Sequence, residues 1–407
     1  MTVTAPPSSP ADAGSLLTFP LRVSHGRLAQ VVSGSYGAGH DAAAHQLAAQ
    51  LRAGGYRVEM LDVVDMFPVG LGRLLRGAYF RQLRAIPGTW SWLLKRLDGD
   101  GPLRRAVTAA LARAVRGHLT RAVSASGVHP ALVVSTHPFA SQALGQLRAT
   151  GRLQVPVATY LTDMSVHPLW VHPGVDLHLA LHEIPAAQAV ERGAGLTAVV
   201  GPLAPVLGPQ LLPPLHPLGT TVRPAPATPD SVRAELGLGP EARLALVTGG
   251  SQGIGELEQA ARDIAATGLA TPVVLCGAND ALRTQLDHLP GVVALGWRDD
   301  VAALLRATDC VVQNAGGFTS LEALSAGVPT MSYRCLPGHG RTNAQALHDA
   351  GWVPWAQCPA ELEQLLRAAL DRGCDGPHPA WDGRTRTGVV EALEQLLALR
   401  APLLVTA

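Results

Sequence analysis

The sequence predicts an α/β protein built as two Rossmann-like domains with a cleft between them. Three observations lead there. The chain has 407 residues, too many for one ordinary core and about right for two α/β domains of roughly 170 residues each. Short apolar runs alternate with Ala-, Leu- and Arg-rich stretches that favour helix, the order that gives a parallel sheet covered on both faces. One Pro-rich interruption divides the alternation into two series.

Residues 1–27 are rich in Pro, Ala and Ser, and no basic segment precedes a long apolar one. They read as a disordered tail without a signal peptide. The first series of strands begins near Leu28, Arg57, Ala131, Val155, Asp176 and Thr197, with helices over 41–52 and 103–124. It defines a first domain, 28–207. From Gly208 to Asp230 repeated prolines deny both helix and central strand, so 208–230 is a linker. A second series, with strands near Arg243, Thr271, Gly291, Asp309 and Val328, defines a domain over 231–384. Residues 385–407 carry a C-terminal helix. Hydrophobic residues make up 47% and charged residues 15% of the chain, enough for two buried sheets. The formal net charge is +1, so no global field points to nucleic acid. The five cysteines are scattered, without C-x-x-C or metal-ligand spacing, and Cys276 and Cys310 sit in apolar runs as buried thiols. That pattern belongs to a reduced, cytoplasmic protein. No apolar run approaches the length needed to span a bilayer.

Glycine-rich turns carry the chemistry. The run VTGGSQGIG, Val247 to Gly255, follows a strand and opens a helix. Such a turn either holds a pyrophosphate on its N–H groups or is a bare tight turn; four glycines favour the ligand. The run also looks like the cofactor loop of short-chain dehydrogenases, but those need a Lys four residues after a Tyr. The single Lys here is Lys95, far upstream. A second loop, from Ser33, ends in His40 at a helix start. The helix dipole favours its neutral form, so His40 is either a general base or a packed capping residue. A third segment, NAGGFTSLEALSAGVP from Asn314, turns through Gly316 and Gly317 into a helix bearing Thr319 and Glu322. Glu322 can accept both hydroxyls of a ribose, and it can also complete a capping box with Thr319. The fourth is LPGHGRTN, Leu336 to Asn343.

Taken together, GGSQG, Gly296-Trp297, GGFTSLEALSAGVP and PGHGRTN resemble the donor-binding half of GT-B glycosyltransferases. The group in question contains the monogalactosyldiacylglycerol synthases, the processive diacylglycerol glucosyltransferases and the peptidoglycan GlcNAc transferase. The loop ending in His40 is similar to that group's acceptor-side loop. VVSTHPFA (133–140) and YLTDMSVHPLWVHPGVD (160–176) resemble its diacylglycerol-glycosylating branch. The similarity runs from Leu28 to about Gly351, apart from the linker.

The resemblance implies an inverting, UDP-sugar-dependent hexosyltransferase that uses the UDP-sugar as co-substrate and no other cofactor. His40 would be the base, with Asp163 beside the acceptor. Gly249, Gly250, Ser251, Gln252 and Gly253 would hold the pyrophosphate, and Trp297 and Arg298 would frame the uracil. Gly316, Gly317 and Thr319 would serve the phosphates and Glu322 the ribose, while His339 and Asn343 would face the sugar. Gly37, Gly39 and His137 fall on the acceptor side. Three departures stand out: SYGAGH replaces a three-glycine loop, PGHGRTN replaces a turn that has Gln and Glu after Pro-Gly, and GPLAPVL replaces the usual hinge. The second leaves the sugar open, because amides and carboxylates read sugar hydroxyls. There is no convincing D-x-D motif, since Asp98-Gly99-Asp100 lies in a turn, and metal independence follows.

Residues 66–121 hold eleven basic residues, among them Arg76, Arg81 and Arg84, against two acidic ones. Trp90, Trp92 and other apolar residues interleave. The residues alone fit equally an anionic bilayer surface or an Arg-rich helix pair packed on the sheet. The resemblance favours the membrane, and with it a lipid acceptor such as diacylglycerol at the inner face of the cell membrane. The same transfer to a polyprenyl-linked or small-molecule acceptor, and a non-catalytic nucleotide-sugar-binding protein, are the rival readings. The presence of both His40 and Glu322 argues against the last.

Overall fold

In the computed structural model the described residues are 26–35, 37–67, 70–85, 101–126, 129–204, 228–381 and 388–404. Each apolar run read as a strand is one. The first sheet contains β1 (Leu28–Ser33), β2 (Arg57–Asp62), β3 (Leu132–Ser135), β4 (Val157–Leu161), β5 (Leu177–Ala180) and β6 (Thr197–Val199). Its strands are all parallel, in the order β2-β1-β3-β4-β5-β6. The second contains β7 (Leu244–Thr248), β8 (Thr271–Leu275), β9 (Val293–Leu295), β10 (Cys310–Gln313) and β11 (Thr330–Ser332), again parallel, in the order β11-β10-β7-β8-β9. Strands β1, β3, β4, β5, β7 and β10 are buried along their whole length, as helices on both faces require.

The helices of the first half are α1 (Ala38–Ala53), α2 (Leu71–Ala85), α3 (Pro102–Ser126), α4 (Pro138–Ala149) and α5 (Glu183–Glu191). Those of the second are α6 (Pro229–Glu235), α7 (Leu257–Thr267), α8 (Asp280–Leu286), α9 (Val301–Ala307), α10 (Phe318–Ser325), α11 (His339–Asp349), α12 (Pro359–Arg372) and α13 (Val389–Leu404). Helix α6 starts inside the stretch assigned to the linker, because Pro is tolerated at a first helical position and the Thr228 hydroxyl accepts the Ser231 N–H at 3.2 Å. The N-terminal tail up to residue 25, the Asp98-Gly99-Asp100 turn and linker residues 208–227 lie outside the described residues.

Strand order reverses once in each sheet, between β1 and β3 and between β7 and β10. Loops leaving neighbouring strands in opposite directions open a crevice there. The loop of His40 and the run from Gly249 stand at these two points, so both glycine-rich turns are placed by topology alone.

Helix α13 returns to the first sheet. Val389, Ala392, Leu393 and Leu396 share a buried cluster with Ala43, Leu47 and Leu51 of α1, and Leu321, Leu324 and Leu347 from the second half join it. The Tyr56 hydroxyl donates to Glu394, Arg27 pairs with Glu394 at 3.6 Å and Arg400 with Asp176 at 2.7 Å. The two halves therefore share apolar core as well as polar contacts. Cys276 and Cys310 are fully buried, as expected.

Five histidines fasten turns by one device. Nδ1 of His137, His167, His172, His182 and His378 accepts the N–H two residues on, at 3.0–3.2 Å. An accepting nitrogen must be unprotonated. Burial also pushes the His172 pKa down to about 4, with the Arg104 charge adding to it, and burial takes His178 to about 4. Their ordinary value is 6.5. A group depressed on folding contributes stability above its unfolded pKa and loses it as pH falls toward the folded one. The contribution of these histidines should therefore be level above about pH 6.5, and stability should fall by on the order of several kcal/mol between there and about pH 4. Thermal midpoints across that range measure it, and an unchanged midpoint from neutral pH to about 4.5 would contradict it.

Candidate functional site

The site lies where the two crevices face each other. A cavity of about 360 Å³ opens between α1 and the second sheet, lined by Gly39 on one side and by Gly250, Ser251, Trp297, Thr319 and Glu322 on the other. The N-termini of α1 and α10 both border it, through Ala38 and Phe318, and such ends favour negative charge. Gly39 allows that approach: a Cβ there would stand 3.1 Å from Cβ of Phe318. Gly39, expected on the acceptor side, thus borders the same cavity as the residues expected to hold the donor, because the two helices start face to face.

The glycines of the 249–255 run divide by role. Gly250, with φ +73°, has open space where a side chain would be, and it lines the cavity with Ser251. Gly249 and Gly253 do not line it. A Cβ on Gly249 would meet the Ile254 carbonyl at 2.6 Å, and one on Gly253 the Cys276 carbonyl at 2.2 Å. These two shape the turn by packing, and Gln252 between them is half-buried. Trp297 is 58% exposed, and its indole N–H donates to Asp299 at 2.8 Å. Arg298 borders the cavity, but its guanidinium is held by Glu235 and Asp300, so it frames the rim with its stem.

Helix α10 begins at Phe318 with Gly317 as N-cap and no side-chain cap. The capping box of Thr319 and Glu322 therefore does not form: Thr319 lies inside the first turn, and Glu322 points to the cavity. Burial alone raises the Glu322 pKa to about 7. Gly316, at φ +66°, lies against Asn343, where a Cβ would stand 2.9 Å from the Asn343 Cβ.

His40 is the third residue of α1, after Gly37 as N-cap in an extended conformation open to any residue. Its Nδ1 lies 3.1 Å from the Thr136 carbonyl and 3.2 Å from the Thr162 hydroxyl. A carbonyl only accepts, so in the neutral ring Nδ1 carries the proton and Nε2 the lone pair. The Thr136 hydroxyl in turn donates to the His40 carbonyl at 3.1 Å. Burial, opposed by the Asp163 charge, holds the His40 pKa below 6.5. His137 packs edge-on beneath it, ring centroids 4.7 Å apart. His137 is buried, caps α4 and presses its ring on Gly34, where a Cβ would be 2.6 Å away. Its buried placement is that of a support under His40.

Asp163 joins the halves. Its Oδ2 accepts the Trp170 indole N–H at 3.3 Å and faces His339 Nε2 at 3.3 Å. Burial opposes its charge, yet His339, His40 and Asn343 together bring its pKa down to about 2. Burial likewise opposes charge on His339, and the Asp163 carboxylate outweighs it, holding that imidazole above 6.5. Asn343 Oδ1 accepts the Ser165 N–H at 2.8 Å, and the Ser165 and Thr342 hydroxyls meet at 2.9 Å. Asp163 makes no hydrogen bond to His40 among the described contacts; it acts on it through charge. Thr136, Thr162, Ser165 and Trp170 lie in the segments 133–140 and 160–176 but were not singled out there, and their role appears only once β3 and β4 stand beside β1.

Of the basic residues read as membrane-facing, Arg76 reaches the Ser35 carbonyl at 3.4 Å. Arg81 bonds within its own helix, to the Gly77 carbonyl at 3.3 Å. The side chains of Arg84, Trp90 and Trp92 lie outside the described residues. Among the described residues no group of three or more His, Cys, Asp or Glu stands ready to hold a metal.

The Asp163–His339 contact has a definite sign with pH. The His339 pKa is raised on folding, so the pair stabilises fully below 6.5 and its contribution is lost as pH rises through the folded value. Combining Asp163→Asn with His339→Gln should give a coupling on the order of 1–3 kcal/mol near pH 6, shrinking toward pH 9. Urea denaturation of the four proteins at both pH values measures it. Equal coupling at both would mean the contact is not ionic.

Comparisons with known proteins agree with this geometry. The family model described as monogalactosyldiacylglycerol (MGDG) synthase matches residues 40–200. The processive diacylglycerol beta-glucosyltransferase of Bacillus subtilis (strain 168) is 26% identical over 218 residues, which are 50% of this chain and 51% of that one. The protein of the same name from Bacillus cytotoxicus is 24% identical over 252 residues, 60% of each chain. The chain thus spans about half the length of the curated relatives it matches. In fold it is similar to Os79 from O. sativa in complex with UDP, at TM-score 0.53 and 14% identity, covering 92% of this chain and 99% of that one. It is also similar to a UDP-glucosyltransferase from Polygonum tinctorium, at TM-score 0.52 and 14% identity, covering 91% and 98%. The chain thus has the GT-B fold, and over part of its length it is similar to the monogalactosyldiacylglycerol synthases and the processive diacylglycerol glucosyltransferases.

Proposed function

We propose that the protein transfers a hexose or N-acetylhexosamine from a UDP-sugar to a membrane lipid such as diacylglycerol, with inversion and without a metal ion. The observation that carries the reading is the His40 ring. Its Nδ1 is tied to the Thr136 carbonyl, which leaves the Nε2 lone pair as the base, and burial favours its neutral form. Gly39, just before it, and Ala42, two residues after it, border the cavity. Trp297 would stack on the uracil, Glu322 would accept the ribose hydroxyls, and Gly250, Ser251 and the N-terminus of α10 would hold the diphosphate. His40 Nε2 takes the proton of the acceptor hydroxyl as its oxygen attacks the anomeric carbon from the face opposite UDP. The bond from that carbon to the β-phosphate oxygen breaks, and the N–H groups at the helix start stabilise the departing charge. Asp163, held ionised, steadies the imidazolium that forms.

The names of the relatives support a lipid acceptor, and α2 supports a membrane surface to present it. Leu71, Leu74 and Leu75 are exposed there at 43%, 62% and 45%, beside exposed Arg73 and Arg81. Among the described residues no helix is long and apolar enough to cross a membrane. We place the protein on the inner face of the cell membrane, held from the side.

Release of UDP from a panel of UDP-sugars, with and without diacylglycerol vesicles and with EDTA, tests the whole reading. Release must depend on the lipid and survive EDTA; lipid-independent release would move the acceptor to a soluble molecule, and loss with EDTA would remove the metal-free step. In the same assay His40→Ala should lose about two to four orders of magnitude in turnover while donor affinity stays within about twofold. Wild-type turnover should fall as pH drops through a pKa below 6.5. A stable His40→Ala protein with near-normal turnover would end the assignment.

Docking has its own test. Replacing Leu74 and Leu75 by Glu should weaken binding to anionic vesicles at least about tenfold, and wild-type binding should decline as added salt shortens the Debye length from about 10 Å to 3 Å. Undiminished sedimentation of the double variant would place the docking surface elsewhere.

A further inference from the structure

Among the described residues one non-glycine has a positive φ: Arg334, at +47°. A long side chain is disfavoured in that left-handed region, and a residue stays there when its surroundings over-determine it. Here they do. Arg334 Nε donates to Asp263 Oδ2 at 2.7 Å, its Nη1 pairs with Glu256, and the guanidinium lies 5.2 Å from the centre of the Tyr333 ring. The Tyr333 hydroxyl donates to the same Asp263 oxygen at 2.7 Å. Asp263 belongs to α7, and Glu256 is the N-cap of that helix, directly after the 249–255 run.

The other end of this contact leads to the centre of the cleft. Five residues after Arg334 the chain reaches His339, the first residue of α11 and the partner of Asp163. The segment between is wedged against the glycine run. The Leu336 N–H donates to the Asn314 carbonyl at 2.8 Å. A Cβ on Gly255 would stand 2.4 Å from Asn314 Nδ2 and 3.0 Å from Leu336 Cδ2, and one on Gly340 would stand 2.8 Å from Leu336 Cβ. These three loops are packed into one block, and Arg334 ties it to Glu256 and Asp263.

We infer that Arg334 is a positioning residue: by clamping the 334–338 segment to Glu256 and Asp263 it sets where His339 meets the transferred sugar and Asp163. This rests on the donor reading above. UDP alone needs the glycine run and α10, whereas the sugar needs His339 in place, so loss of the clamp separates the two ligands.

Calorimetric titration of wild type, Arg334→Ala, Arg334→Gly and Arg334→Lys with UDP and with the preferred UDP-sugar tests it, alongside thermal midpoints. The Ala and Gly variants should bind UDP within about twofold of wild type and the UDP-sugar at least about tenfold more weakly. Lys, which keeps one charged donor, should recover part of that loss, and it remains the test if Ala does not fold. Gly removes the backbone strain together with the clamp, so a Gly variant that matches wild type would overturn the inference. Equal weakening of UDP and UDP-sugar would also overturn it, since that marks a general loss of structure. A wild-type protein that binds UDP-sugar no better than a non-nucleotide control would refute the donor reading itself.

Discussion

The cleft is organised around one buried carboxylate. Asp163 lies just past the end of β4 with its side chain 13% exposed, and a charge so placed is tolerable only with partners. One partner, Trp170, comes from its own domain. The others, His339 and Asn343, come from the first two turns of α11 in the other domain. The requirement to pair Asp163 therefore fixes several things together: where α11 begins, which face it turns to the first sheet, and how far the two strand ends stand apart. The shared apolar cluster of α1, α10, α11 and α13 holds the halves together, but it would permit small slides. The directional contacts to Asp163 and the Ser165 N–H select one position among them.

Steric demand divides the glycines more sharply than ligand binding does. Read as a string, VTGGSQGIG offers four equivalent glycines to a pyrophosphate. In the fold they are unlike. Gly253 meets the Cys276 carbonyl and Gly277 meets the Ser251 carbonyl, where a Cβ would stand 2.2 and 2.3 Å away. The turn and the end of β8 thus lie backbone on backbone. Gly255 packs instead on the Asn314 side-chain amide. Gly250 alone of the four predicted there as a ligand cradle has open space before it. A ligand-holding loop needs rigid walls, and in this protein three glycines supply the wall for each one that faces the cavity.

Fold and site were legible in the sequence to different depths. The strands could be read because buried parallel strands are continuous apolar runs, and the glycine turns because left-handed backbone demands Gly. The return of α13 to the first sheet could not, since its apolar face would suit either domain; Glu394 reaching Tyr56, 338 residues apart, decides it. His40 was visible from its place at a helix start, but Thr136 and Thr162, which orient it, are 96 and 122 residues away, and the segments that hold them do not say which ring they face. The capping role of His137 was hidden for a related reason. His-Pro before a helix is here a capping device repeated at His167 and His378, and only the repetition reveals it as structural. The failed capping box of Thr319 and Glu322 turned on two residues of register: with Gly317 as N-cap, Ser320 takes the third helical position and Glu322 falls two residues past it.

The departure PGHGRTN gains a physical meaning from this arrangement. An amide or a carboxylate in place of His339 would be free to read a sugar hydroxyl but would give Asp163 no positive partner. A histidine at the first position of a helix is disfavoured as a cation by the dipole, and burial disfavours it further, yet the Asp163 charge prevails. His339 thereby supplies the charge that lets Asp163 remain ionised beside His40. The cost falls on recognition, since Nε2 cannot both face Asp163 and bind a hydroxyl along the same direction. In the proposed reaction a donor sugar entering the cleft must share Nε2–H with Asp163 or displace it. Sugar binding and the charge felt by His40 are then set by the same nitrogen, and discrimination between sugars would appear in turnover as well as in donor affinity.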